Sequence, residues 1–258
     1  MILYFTGTGN SRRCALRLGE LLCDSDVREL RGEMLLNPSA ASIATEGKRI
    51  IWVFPTYSWG VPPVIARFIK GARFGKGAQK ASHYMVTTCG DDTAYTDRQW
   101  LKLLKARGLD ARTAFSVIMP NTYTLMKGFD VDSPELAARK LEESEERLKE
   151  IAERIENGGE PLLTRGAFPW VKSRIIYPWF KRFSMSPKPF HATEACIGCE
   201  LCARSCPMKN ITMIEGKPAW GDACALCLRC YHACPRRAVA YGKATDGKGQ
   251  YMCPTTRS

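Results

Sequence analysis
The sequence predicts an α/β fold, a doubly wound parallel sheet of five strands followed by a smaller module, and three observations carry that expectation. Apolar runs of strand length alternate with helical patterns through the first 160 residues, as expected of strands covered by helices on both faces. A glycine-rich turn, Thr6-Gly7-Thr8-Gly9-Asn10-Ser11, joins the first run to the first helical pattern. Near the other end, eight of the twelve cysteines fall into one motif written twice.

The individual elements follow from periodicity. Strands are expected at 1–6, 27–30, 49–55, 82–88 and 114–119, the central ones nearly all apolar. Helices are expected near 10–23, 62–72, 93–107 and 133–157. The last carries the clearest boundary signals. Ser133 can cap it, Pro134 fits its first turn, and Leu136, Leu141, Leu148, Ile151 and Ile155 make its apolar stripe before Gly158-Gly159 closes it. Its many charges read as a solvated outer face. Cys14 and Cys23 fall within the first predicted helix, where free cysteine behaves as a small core residue. His83 opens a buried strand, His191 and His232 flank the cysteine repeat, and none has a Ser or Asp companion in catalytic spacing.

Four segments are expected: a first domain over 1–160, a linker over 161–192, a second domain over 193–242 and a flexible tail over 243–258. The linker is rich in Pro, aromatic and basic residues, with Phe168-Pro169-Trp170-Val171-Lys172 followed by Ile175-Ile176-Tyr177-Pro178-Trp179-Phe180-Lys181-Arg182-Phe183. Such a segment suits a strap packed between two modules, and its aromatics also suit a partner or a membrane surface. The tail, rich in Gly, Lys and Thr, is expected to be poorly ordered, with Cys253 a bystander in it.

Charge is uneven. Residues 1–160 hold 23 Lys and Arg against 21 Asp and Glu, whereas 161–258 hold 15 against 5, so nearly all of the net +12 sits in the second part. Nucleic-acid binding is not the reading that follows, because cysteines bound to metal are thiolates and bring compensating negative charge. The chain shows no basic prelude with a cleavage site and no run approaching ~20 apolar residues, so a cytoplasmic protein without a transmembrane segment is expected. Cytoplasmic thiols stay reduced, so twelve cysteines there point to metal or redox chemistry rather than disulfides.

Cys196, Cys199, Cys202 and Cys206-Pro207 recur 28 residues later as Cys224, Cys227, Cys230 and Cys234-Pro235. Ile211 and Met213 in the first copy match Val239 and Tyr241 in the second, which implies a duplicated half-domain. The spacing C-x2-C-x2-C-x3-C-P lets three thiolates converge on three corners of one small cube while the backbone wraps it. Structural zinc prefers separated pairs of C-x2-C knuckles and fits three evenly spaced cysteines poorly. The segment resembles bacterial two-cluster ferredoxins. That resemblance implies one [4Fe-4S] cluster on Cys196, Cys199, Cys202 and Cys234, and a second on Cys224, Cys227, Cys230 and Cys206.

The N-terminal turn suits a phosphate dianion, since its glycines let the backbone close in at a helix N-terminus. It is neither a full G-x-G-x-x-G nor a Walker loop, because Arg12 stands at the third-glycine position. Two more loops follow predicted strands, Pro55-Thr56-Tyr57-Ser58-Trp59-Gly60 and Thr88-Cys89-Gly90-Asp91, at the strand ends where doubly wound sheets bind ligands. Together the three loops resemble flavodoxin. In that family the first loop holds the FMN phosphate, an aromatic-Gly pair such as Trp59-Gly60 covers the flavin ring, and a Cys-Gly-Asp segment meets its pyrimidine edge. Val61-Pro62-Pro63 departs from the family, which often has an acidic residue there, and Tyr95 lies one position from where a second aromatic wall would be.

The whole chain resembles the flavodoxin-fused ferredoxins of anaerobic microbes, over residues 1–158 and 193–242. The resemblance implies an electron carrier that relays between FMN and two [4Fe-4S] clusters and on to protein redox partners. The basic linker is then the expected docking surface for an acidic partner. A flavin-dependent reductase acting directly on NAD(P)H or a small molecule is the alternative, and the chain has no second dinucleotide fingerprint to favour it.

Overall fold
A computed structural model describes residues 1–254. Five strands, β1 (Ile2–Tyr4), β2 (Val27–Glu29), β3 (Arg49–Pro55), β4 (Ser82–Cys89) and β5 (Asp110–Ile118), pair in parallel in the order β2-β1-β3-β4-β5. This is the flavodoxin-like order of a doubly wound sheet, whose direction of winding reverses between β1 and β3. β5 begins four residues before the expected strand because Asp110–Thr113 alternate outward at the sheet edge before the buried run Ala114–Val117 starts.

Helices cover both faces. On one, α2 (Pro63–Gly71) and α3 (Thr96–Lys105) pack Phe68, Ile69, Trp100 and Leu104 on Leu3, Trp52 and Phe54. On the other, α1 (Asn10–Leu21) and α4 (Pro134–Asn157) pack Ala15, Leu18, Leu148 and Ile151 on Ile51, Val53 and Phe115. α4 has the expected ends: Ser133 Oγ accepts from the Leu136 amide at 3.2 Å, and Gly158 closes it in the left-handed region at φ 73°. Cys14 is buried as expected. Cys23 corrects the expectation, because α1 stops at Leu21 and Cys23 is exposed in a left-handed turn at φ 50°.

Much of the linker is helical. Pro169–Val171, a π-helical Lys172–Ile176 and Tyr177–Phe183 form one continuous run, here α5. Its widening has a local cause: Pro178 lacks an N–H, and its ring crowds the carbonyl of Arg174 four residues back. Ser173, Tyr177 and Phe180 face inward.

Two antiparallel pairs build the second module, β6 (Phe190–Ala192) with β9 (Val239–Tyr241), and β7 (Ile211–Ile214) with β8 (Lys217–Trp220). The 28-residue repeat is written into its backbone. Gly198 and Leu226, Glu200 and Leu228, and Lys209 and Arg237 are left-handed at equivalent places. Five of those six are bulky or charged side chains other than glycine or asparagine, conformations that cost about 1 kcal/mol or more each and persist only where the surroundings impose them.

The tail also corrects an expectation. Residues 243–254 fold back over the second module, where Tyr231 Oη donates to the Lys248 and Gly249 carbonyls at 3.1 and 2.9 Å and the Tyr251 amide donates to His232 Nδ1 at 3.1 Å. Residues 255–258 of the expected tail lie outside the described residues.

Candidate functional site
A cavity of about 390 Å³ opens at the carboxyl ends of β1, β3 and β4, within the size range of small-ligand sites. Of the sixteen residues expected at a flavin, all but Gly9 and Gly60 line it. Thr6, Thr8, Asn10 and Ser11 are buried, and α1 starts with no side-chain cap and no acidic residue in its first turn. An uncapped helix start ringed by hydroxyls is a place for a phosphate dianion. Ser11 Oγ shares a hydrogen bond of 2.8 Å with Thr88 Oγ1, tying the first loop to the third. Gly9 does not face the cavity. It takes the left-handed turn into α1 at φ 104°, its amide donating to Thr6 Oγ1 at 3.0 Å.

The second loop is strained and held. Ser58 and Trp59 sit at φ 43° and 62°, between reciprocal backbone bonds of Tyr57 and Gly60 at 2.9 and 3.0 Å. Support comes from α5 and α3: Ser173 Oγ donates to the Trp59 carbonyl at 3.1 Å, Tyr177 Oη to the Val61 carbonyl, and the Val61 amide to Gln99 Oε1 at 3.1 Å. A Cβ at Gly60 would lie 2.4 Å from the Tyr177 ring, so only glycine fits beneath the strap.

At the third loop, a Cβ on Gly90 would lie 1.6 Å from Asn121 Oδ1. Asn121 is itself fixed by Asp132, which accepts from its amide at 3.0 Å and from its Nδ2 at 3.1 Å. Burial raises the Asp132 carboxyl, but hydrogen bonds from Lys140 and Asn121 outweigh it and hold the group below the ordinary carboxylate range. Lys140 Nζ lies 2.7 Å from Asp132 and donates to the Gly90 carbonyl at 3.0 Å. Cys89 is buried among these residues, and burial raises its thiol.

Three walls of the cavity were not expected. One is the loop after β5, Met119 to Tyr123; another is Ile176, Trp179 and Phe180 of α5; the third is Leu226, Cys227 and Leu228 of the second cysteine run. Tyr95 is not a wall. Its amide donates to Ser173 Oγ at 2.9 Å, and the Arg98 guanidinium lies 3.8 Å from the centre of its ring. Tyr57, Trp59, Tyr123, Phe129, Trp179 and Phe180 are the aromatic side chains that line the cavity instead.

The cysteines gather in two sets. A small apolar cavity is lined by Cys196, Cys199, Cys202 and Cys234, and by no other cysteine. The second set is seen in mutual charge effects: burial first, then Cys206, pushes the Cys224 thiol up to about 11, and burial with Cys206 and Cys224 pushes Cys227 up to about 12. Cys230 is driven well up by burial and then by Cys227, Cys224 and Cys206. Thiols buried together stay protonated until a metal takes them as thiolates, and here burial outweighs the opposing charge of Arg229 on Cys227.

Backbone amides point at the sulfurs. The Asn210 amide donates to Cys206 Sγ at 3.5 Å and, 28 residues on, the Ala238 amide donates to Cys234 Sγ at 3.3 Å. Three buried donors stand beside the runs without partners: Tyr57 Oη near Cys227 and Cys224, Ser205 Oγ next in the chain to Cys206, and Trp220 Nε1 beside Cys230. Sulfur atoms of a cluster would answer such donors, so the residues present fit the group. Among the described residues no three His, Cys, Asp or Glu gather closely enough for a single metal ion.

Residues 195–239 match the 4Fe-4S dicluster domain family. Preceded by a sheet in flavodoxin order, that segment gives the chain the make-up of a flavodoxin joined to a ferredoxin-type domain. No curated protein matches the chain. Among solved structures, a flavodoxin of Streptococcus pneumonia TIGR4 aligns at 17% identity over 61% of this chain and 97% of its own, with a TM-score of 0.38. A Fusobacterium nucleatum flavodoxin bound to flavin mononucleotide aligns at 11% identity over 62% and 97%, TM-score 0.37. An NAD(P)H:quinone oxidoreductase from Methanothermobacter marburgensis aligns at 12% over 60% and 95%, TM-score 0.39. At such scores these alignments add nothing to the strand order, on which the flavodoxin-like fold rests.

Of the remaining histidines, His83 is structural: its Nδ1 accepts from Trp52 Nε1 at 3.0 Å and its Nε2 donates to the Ala78 carbonyl at 2.9 Å. His232 bridges the loop after β5 to the tail, 2.8 Å from the Thr122 carbonyl. Cys253, expected to be a bystander, packs on the first loop, its amide donating to the Thr8 carbonyl at 2.8 Å.

Proposed function
We propose that this protein is a cytoplasmic electron relay. FMN occupies the 390 Å³ cavity, one [4Fe-4S] cluster is bound by Cys224, Cys227, Cys230 and Cys206, and a second by Cys196, Cys199, Cys202 and Cys234. The observation that carries the reading is the shared wall: Leu226, Cys227 and Leu228 line the same cavity as Thr6, Trp59 and Gly90. A Cβ on Gly7 would lie only 2.2 Å from the Cys227 carbonyl oxygen, so the phosphate loop and the nearer cysteine run are in direct contact.

FMN, when bound, exchanges electrons singly or in pairs while each cluster exchanges one, so the pairing interconverts the two kinds of traffic. The chain's own part is placement. Arg229 fastens the seam, with Nε donating to the Gly7 carbonyl at 2.8 Å and Nη1 to the Ser205 carbonyl at 3.2 Å. The order flavin, nearer cluster, farther cluster follows from this arrangement. Cys199 of the farther set is exposed, which supports exchange with a protein redox partner at that end.

Anaerobic purification with iron, sulfide and flavin measured on one sample tests the reading. About eight iron, about eight sulfide and about one FMN per chain are expected. A colourless protein rich in zinc, or one with iron and no flavin, would refute it.

A further inference from the structure
α5 has two apolar faces, and the fold uses one. Ser173, Tyr177 and Phe180 are buried, while Phe168, Val171, Ile175, Trp179 and Phe183 follow one another at intervals of three or four residues on the outside. They are well exposed, Phe168 at 77%, Ile175 at 54%, Trp179 at 55% and Phe183 at 64%. Seven of the fourteen exposed large apolar side chains among the described residues lie in 168–183, so this is one stripe and not scattered surface. Met126 and Phe129, also exposed, share the cavity wall with Trp179 and carry the stripe across the cavity mouth.

Charge surrounds the stripe in one sign. From Pro161 to Thr193 there are six Lys and Arg and no Asp or Glu. Lys172 pairs with Asp92 at 2.6 Å and Arg165 with Asp97 at 2.9 Å. Arg174, Lys181, Arg182 and Lys188 have no carboxylate partner among the described residues; Lys181 lies over the Tyr177 ring and Arg182 over Phe183.

We propose that this face lies on an anionic phospholipid surface, the stripe entering the boundary between headgroups and acyl chains and the unpaired cations meeting lipid phosphates. Aromatic residues are favoured at that depth, and each nearby Lys or Arg adds attraction that salt weakens. A second copy docked through the same helix would bring two sets of unpaired cations together. An acidic protein surface would answer the cations and not the stripe. No described helix is long and apolar enough to cross a membrane, and α5 lies flat against the body of the protein with its inner face buried, so contact is with one leaflet. The cavity mouth then faces the lipid. This inference does not depend on which cofactors the protein holds.

The test uses full-length protein purified anaerobically with its cofactors and sedimented with vesicles of phosphatidylcholine alone or with about one third phosphatidylglycerol. Binding is expected to the anionic vesicles, to weaken as salt rises, and to bring tryptophan fluorescence within reach of bromine-labelled acyl chains. The pairs I175S/F183S and K181E/R182E, both outside the cavity wall, should each lower vesicle affinity by ~10-fold or more with helicity and iron content unchanged. Absence of binding to anionic vesicles overturns the proposal, as does equal binding by I175S/F183S. A dimer of the wild-type protein that I175S/F183S dissolves would overturn it in favour of a second copy.

Discussion

Tyr57 occupies an unusual place for one side chain. It lines the cavity, its hydroxyl is buried without a partner, and burial followed by the charges of Cys227 and Cys224 holds that hydroxyl firmly protonated. A neutral donor between the cavity and the nearer cysteine set should favour the more negative, reduced cluster. Tyr57→Phe keeps the ring and removes the donor. A net hydrogen bond of about 1 kcal/mol corresponds to roughly 40 mV in a one-electron couple, so the nearer cluster should fall by about that much in a titration followed by electron paramagnetic resonance. An unchanged potential would mean that the hydroxyl does not reach the cluster. His83 offers a different check. Burial lowers its pKa, with the Ala78 hydrogen bond and Asp110 opposing. The folded value therefore lies below the ordinary ~6.5, so its contribution to stability is complete above that pH and drains away as pH falls through the folded value. Urea midpoints measured from pH 7.5 downward should fall less steeply in His83→Gln, which keeps an acceptor for Trp52 and cannot take the proton; parallel slopes would refute this.

At the scale of elements, legibility divides by the range of the interaction that makes each one. β3 and β4 could be read because their residues are apolar throughout, and α4 because Ser133, Pro134 and Gly158 mark its ends in the chain itself. The two cysteine sets were legible because a 28-residue duplication carries its geometry with it. What stayed hidden depends on partners far away in sequence. Met119 to Tyr123 become a cavity wall only because β5 ends beside β4, and Trp179 does so only because Ser173 and Tyr177 anchor α5 to the second loop. The tail misled for the same reason. Its Gly and Lys residues read as disorder, yet its order comes from Tyr231, His232 and the first loop, and Tyr251 Oη reaches Asn10 Oδ1 at 3.2 Å. Ending the chain at Lys248 removes Tyr251 and Cys253 from the first loop. The expected outcome is at least ~10-fold weaker binding of FMN by the truncated protein in a fluorescence titration, since about two hydrogen bonds that order the loop are lost. Unaltered affinity would reduce the tail to packing.

The two modules behave as one molecule because their contacts are specific and buried, not a tether. Met208 and Ala225 of the second module enter the core that holds Trp52 and Phe54, and the Gly32 amide donates to the Pro207 carbonyl at 2.7 Å. Arg229 is the polar centre of that seam, reaching Gly7, Ser205 and, at 3.4 Å, Glu29 at the end of β2. Replacing it with Gln leaves carbonyls and a carboxylate unanswered in a half-buried place. The cost should be about 2 kcal/mol, a drop of roughly 4–8 °C in melting temperature for a chain of this size. If the proposed relay holds, the functional consequence is larger than the stability one, because separation of the first loop from the Cys227 run would lengthen the step between flavin and cluster. Flash reduction of the flavin followed at cluster wavelengths should show slower transfer in Arg229→Gln, at a rate independent of protein concentration, with iron and flavin contents unchanged. Gly7→Ala attacks the same contact from the other side, through a Cβ that the Cys227 carbonyl leaves no room for. If both variants transferred electrons as fast as the natural protein, the seam would not be the route, and the electrons would have to pass between molecules.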